Sequence, residues 1–213
     1  VLEKMKTTGR KLLITGKGRC NITNNAPISK FIKHVFPNGR FLKSAFSNYF
    51  SKDILELLAK QGVQSTIERG GRYFPESNKS ADVLNALLKW LRELKVEIRC
   101  GSRVEALLCT DNSIEGVRVN GTSIKAKQVI LSTGGKSYPA TGSTGDGYEL
   151  AQKVGHSVEK ALPALVPLIA EGNLAQNLQG LNLKNVNASI WINNKKASES
   201  FGEMIFTHFG LSG

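Results

Sequence analysis

The sequence predicts an α/β domain followed by the start of a second, β-rich domain. Three observations carry this. Apolar residues recur at helical spacing in several stretches of the first 160 residues. Short alternating or continuous apolar runs, bounded by turn residues, lie between those stretches. Beyond Pro163 and Pro167 the texture changes to strands rich in Asn, Ser and Val, which places a domain boundary near residue 162, dividing 1–161 from 162–213. With 213 residues, 40% hydrophobic and 22% charged, the chain can build a core. This composition excludes a disordered chain, a collagen and a transmembrane bundle, and no apolar run approaches the roughly 20 residues that span a bilayer.

Taken in order, Val1-Leu2-Glu3-Lys4 reads as the end of a buried strand with an acid at its tip. Residues 10–24 read as a Gly-rich, basic loop. Residues 40–50 and 52–61 carry helical faces (Phe41, Leu42, Ala45 and Phe46, then Ile54, Leu55, Leu57 and Leu58), and Gly62 closes the second. A short strand over 63–68 and a turn over 70–75 follow. Ser80-Ala81-Asp82 opens a helix whose face is Val83, Leu84, Leu87, Leu88 and Leu91, running to about Leu94. Residues 96–99, 103–109 and 114–119 read as strands, the last two joined by an Asp111-Asn112 hairpin turn. Residues 128–132 read as an apolar strand running into Thr133-Gly134-Gly135, and 146–154 as a helix ended by Gly155. Strands over 183–193 and 203–208 complete the series. Neither end carries a capping or closing element, so an internal piece of a larger protein is expected.

Charge is unevenly placed. The net charge is +12, and residues 1–43 hold ten Lys and Arg against one acid, Glu3. Such a field suits phosphate-bearing ligands, a dinucleotide or a nucleic acid, although a solvated basic face without a partner has the same composition. Cys20, Cys100 and Cys109 form an odd set without CxxC spacing, which argues for a reducing compartment and against a disulfide scaffold or a zinc site. No signal segment opens the chain, and a cytoplasmic location is expected.

Three features carry chemistry. In dinucleotide-binding α/β folds, an acid at the tip of the second strand accepts the ribose hydroxyls; Glu3 has that position, although alone it fits a surface glutamate better. The run Gly9-Arg10-Lys11 through Gly16-Lys17-Gly18-Arg19-Cys20-Asn21-Ile22-Thr23-Asn24 combines glycines, whose backbone N–H groups approach an anion closely, with cations that neutralise it. The run from Val129 through Thr133-Gly134-Gly135 to Gly147 sets small residues where a flat ring or a pyrophosphate must pass close to the backbone, or forms a tight strand-to-helix turn.

These two runs, with Gly71-Arg72-Tyr73-Phe74-Pro75-Glu76-Ser77 and with the stretch from Gly202-Glu203 to Thr207-His208-Phe209-Gly210-Leu211-Ser212-Gly213, resemble in order the signature of the BaiN/RdsA (YhiN-type) flavoproteins. The resemblance covers the whole chain. It implies part of an FAD-binding domain, Rossmann-like and of the glutathione-reductase type, followed by the start of a barrel-like substrate domain. The family's N-terminal glycine fingerprint and C-terminal return would lie outside the chain. Carried over, Glu3 would hold the adenosine ribose, and Arg10 and Lys11 would sit by the pyrophosphate. Gly18, Arg19 and Asn21 would lie near the isoalloxazine, Val104 would meet the adenine through its backbone, and Thr133, Gly134 and Gly135 would line the dinucleotide. The implied activity is reduction of a conjugated C=C bond with NAD(P)H as electron donor. The basic cluster favours a ribosomal RNA uridine, reduced to dihydrouridine and held through Lys30, Lys33, Arg40 and Lys43. Reduction of a small cyclic enone, amine oxidation, or a non-catalytic RNA-binding flavoprotein scaffold are the alternatives. For the proton, Cys20 is the candidate acid, with Arg19 expected to lower its pKa; a small buried residue filling space under the ring is the competing role, and His208 is the rival donor.

Overall fold

The structure is a computed structural model describing residues 1–213. Its contacts divide the chain into two compact units, Val1–Val158 and Glu159–Gly213.

In the first unit, residues 10–24 are partly helical: α1 (Arg10–Ile14) runs into a 3-10 turn, and β1 (Thr23–Asn24) follows. Then come α2 (Ile28–His34), α3 (Lys43–Asn48) and α4 (Ser51–Lys60). The Asp53 carboxylate accepts the Phe50 N–H at 2.6 Å, closing the first turn of α4. The helical face expected over 40–50 is only half realised. Leu42 and Phe46 are half-buried, but Phe41 and Ala45 are exposed, because a 3-10 turn over Gly39–Leu42 breaks the register before α3 begins.

A three-stranded antiparallel sheet has β3 (Arg72–Pro75) between β1 and β2 (Ser65–Glu68). Only residues 69–71 make the turn expected over 70–75. The next four residues become the central strand because neighbours on both sides pair with them. α5 (Ser80–Glu93) follows the expected apolar face, and the Ser80 hydroxyl donates to the Leu13 carbonyl at 2.9 Å, joining α5 to α1. Cys20, Leu58, Val83 and Ala86 form the core, with Leu12, Ile22, Ile54, Val63 and Leu87 packed on it.

Residues 1–5 run parallel to 99–102, with Arg99 N–H donating to Val1 O, and Glu3 N–H to Arg99 O, each at 2.9 Å. The strand expected over 96–99 shortens to this bridge. β4 (Val104–Thr110) and β5 (Ser113–Val119) form the expected hairpin; Asp111 and Asn112 both have positive φ, the conformation of a two-residue type I′ turn. Asn120-Gly121 makes a second such turn into β6 (Thr122–Lys125). Residues 128–132 do not form the expected strand: no strand lies beside them, and Ile130 is 90% exposed. An apolar run becomes a strand only where a neighbour completes its hydrogen bonds. α6 (Asp146–Lys153) closes this unit.

In the second unit, β7 (Leu168–Ile169), α7 (Leu174–Asn177), β8 (Asn182–Ile192), β9 (Lys195–Thr207) and β10 (Gly210–Ser212) give a sheet ordered β7-β10-β9-β8. β9 starts at Lys195 rather than near 203, because Asn193 and Asn194 turn the chain back on itself directly. No helix in either unit is long and apolar enough to cross a membrane.

Candidate functional site

The tip of the first segment anchors the site. The Glu3 carboxylate accepts the Met5 N–H at 2.8 Å through Oε1, and Ser102 N–H donates to the Glu3 carbonyl. The following cation, Lys4, donates to Asp146 Oδ2 at 2.9 Å and to the Thr144 hydroxyl, while Arg103 Nε lies 3.8 Å from the same carboxylate oxygen. The Thr144 hydroxyl also donates to Asp146 Oδ1 at 2.6 Å. These donors hold the Asp146 carboxyl below its usual range, the hydrogen bonds from Thr144 and Lys4 outweighing the opposing effect of burial. Gly142 lies against the same corner: a Cβ there would come 2.9 Å from the Met5 side chain. Val104 opens β4 at this point, and with Arg103, Glu105, Asp146, Glu149, Leu150 and Lys153 it lines a cavity of about 270 Å³.

Lys11 carries the basic run to the same loop. Its ammonium donates to the Ser137 carbonyl at 3.0 Å and stands 4.7 Å over the Tyr138 ring. Thr133 and Gly134, exposed, and Gly135, half-buried, lead into that loop. The fold therefore brings Glu3, Val104, Lys11 and the 133–147 loop into one neighbourhood. Arg10, on α1, is exposed.

The second half of the basic run has other contacts. Gly18 takes a left-handed φ of 87°, and a Cβ there would meet nothing within 4 Å, so open space adjoins its backbone. Asn21 is exposed. Arg19 is committed elsewhere: it pairs with Glu68, donates to Asn78 Oδ1 at 2.8 Å and covers the Phe74 ring at 4.1 Å. Cys20 is 4% exposed among core residues, and burial pushes its thiol up despite a hydrogen bond with the Thr15 side chain. The expected lowering of that pKa by Arg19 is thereby corrected: a guanidinium held by Glu68 is not free to stabilise a thiolate, and desolvation dominates. His208 belongs to the second unit, on the turn between β9 and β10, exposed, with its ring edge-on to Phe209 at 4.8 Å.

Sequence reasoning did not single out Lys4, Arg103 or the Thr144–Asp146 pair. Lys4 and Asp146 are 142 positions apart, and no local spacing signals such a pair. No group of three or more His, Cys, Asp and Glu side chains is placed to hold a metal ion.

The whole length of the chain is similar to known proteins. The family description "HI0933-like protein Rossmann domain" matches residues 1–208. The 3-dehydro-bile acid delta(4,6)-reductase of Clostridium scindens is 35% identical over the whole chain, which covers 51% of that protein. The ribosomal RNA dihydrouridine synthases of Escherichia coli and Haemophilus influenzae are 27% and 29% identical, again over the whole chain and 52% of each relative. The chain thus spans about half the length of the curated relatives it matches.

Proposed function

The chain belongs to the HI0933-like Rossmann-domain family, and from that premise we propose that the protein is an FAD-dependent reductase of a conjugated C=C bond, with an RNA uridine as its substrate. The observation that carries the cofactor reading is the convergence of a strand-tip carboxylate (Glu3), an adjoining cavity at Val104 and the small-residue loop 133–147, tied together by Lys4–Asp146 and Lys11–Ser137. The residues present fit the group. Glu3 has one oxygen engaged by Met5 and keeps Oε2 for a ribose hydroxyl, Gly18 offers an unobstructed backbone, and Arg10 and Lys11 supply the positive charge that a pyrophosphate needs.

Residues 1–161 are the FAD-domain portion and 162–213 the start of the β-rich substrate domain in this reading. When bound, the flavin supplies a hydride to one carbon of the substrate double bond, renewed by a reduced nicotinamide. The chain's own part is to hold the ribose at Glu3, to neutralise phosphate at Arg10 and Lys11, and to deliver a proton to the neighbouring carbon. Two groups compete for that last role. The packing of Cys20 favours a space-filling thiol, whereas His208 offers an accessible imidazole.

The relatives named for these two reactions each align with the whole of this chain. RNA is preferred over a small cyclic substrate because a cofactor with two phosphates does not call for ten cations in 43 residues. The full-length parent protein should show a flavin absorbance spectrum, bleached by reduced nicotinamide and restored by a uridine-containing RNA. Glu3→Ala should weaken FAD binding by about 1–3 kcal/mol, the scale of a charge-assisted hydrogen bond. Unchanged affinity would remove Glu3 from the site, and a full-length parent without flavin absorbance would remove the cofactor reading.

A further inference from the structure

Residues 27–50 form a helical hairpin whose inner aromatic residues are accounted for and whose outer ones are not. Inside, Phe31, Phe46 and Phe50 pack with centroids 4.8–5.9 Å apart, joining α2 to α3 and to the start of α4. The turn between the helices is clamped: Gly39 is buried, and a Cβ there would fall 1.9 Å from the Ile32 carbonyl oxygen, so only glycine lets the turn close onto α2. Flanking this clamped turn in the chain, Phe36 is 94% exposed and Phe41 81%. The same segment carries Lys30, Lys33, His34, Arg40 and Lys43, all exposed, and residues 4–52 contain no Asp or Glu.

We propose that this hairpin is a single-stranded RNA platform, on which Phe36 and Phe41 stack unpaired bases while Lys30, Lys33, Arg40 and Lys43 hold the flanking phosphates. The inference rests on the RNA reading above and adds to it the strandedness of the substrate and the two side chains that recognise it. Charge complementarity selects a polyanion. Two exposed aromatic rings within an acid-free segment select one with free π-faces, because bases in a duplex are already stacked on each other. A uracil reduced on a flavin must also leave its stack, so its neighbours are splayed and need a new surface. β1 follows Asn21 by two residues and leads into the hairpin, which places the platform next in the chain to the proposed flavin loop.

The test is fluorescence anisotropy of the protein with a labelled 12-nucleotide single-stranded RNA, a duplex of the same length, and anionic phospholipid vesicles. The parent should bind the single strand in preference to the duplex, with affinity falling steeply as salt rises. The F36A/F41A variant should bind the single strand about 10- to 100-fold more weakly, with the salt slope and the melting temperature unchanged. F36L/F41L keeps the apolar area but lacks the π-face and should behave like the alanine variant, whereas F36W/F41W should restore binding. Charge reversal at Lys30, Lys33, Arg40 and Lys43 should instead flatten the salt slope. Single-strand binding unaltered by F36A/F41A would overturn the platform and leave the RNA reading standing. Failure of the parent to bind any RNA would overturn both. Leucine variants that bind as well as the parent, vesicle binding in place of RNA, or an F36A/F41A change in oligomeric state without loss of RNA affinity would each assign the two phenylalanines to an apolar contact and overturn the proposal.

Discussion

Cys20 shows how far one side chain's role depends on its surroundings. Its loop neighbours, Arg19 and Asn21, describe a reactive thiol, whereas its packing partners Leu58, Val83 and Ala86 describe a small core residue. Desolvation disfavours the thiolate, so the raised pKa and 4% exposure act together against nucleophilic reaction. At pH 8, iodoacetamide should therefore modify Cys100 and Cys109, both exposed, long before Cys20, which should react only when denaturant is added. Mass spectrometry of the peptides reads this directly, and equal labelling of all three thiols would contradict the burial. In single-turnover reoxidation of the flavin by the full-length protein, a parental rate in Cys20→Ala would remove the thiol as the acid, and a slowed rate in His208→Ala alone would move the role to the imidazole. The reverse pattern would return the proton to the thiol.

Among the elements, the strand-tip segment 1–5 and helix α6 are joined by one ionic cluster. Lys4 and Asp146 have side chains only 22% and 17% exposed, so their interaction is worth more than a surface pair, on the order of 1 kcal/mol with its hydrogen bonds. The Asp146 carboxyl has a lower pKa folded than unfolded, so its contribution is complete above the usual carboxylate pKa and is lost as pH falls through the lowered folded value. Urea titrations should show Asp146→Asn destabilised by about 1 kcal/mol at pH 7. The gap to the parent should shrink on acidification below pH ~4. A deficit independent of pH would assign the loss to packing instead. The hairpin of α2 and α3 uses a different joint, in which aromatic edges and the close approach at Gly39 replace charge.

For the whole molecule, the boundary placed near residue 162 lies in a stretch without helix or strand, exposed at every position from 159 to 167. Limited trypsin digestion should cut early at Lys160, and a first cut inside α5 or β4 instead would argue against that boundary. What the sequence determined by itself is what local physics enforces. The apolar face of α5, the glycines closing α4 and α6, and the Asp111-Asn112 turn follow from neighbours a few positions apart. The Asn120-Gly121 and Asn193-Asn194 turns were equally legible, and they would have revealed β6 and the true start of β9. Three features were decided only by the tertiary structure. Residues 72–75 are a strand because β1 and β2 flank them, while 128–132, more apolar, are not, since a strand's hydrogen bonds belong to its neighbours. Arg19 turns to Glu68 rather than to Cys20, and Lys4 finds Asp146 across 142 positions. A sequence fixes which groups carry charge and which avoid water; their partners are chosen by the fold that brings distant segments within a few ångströms.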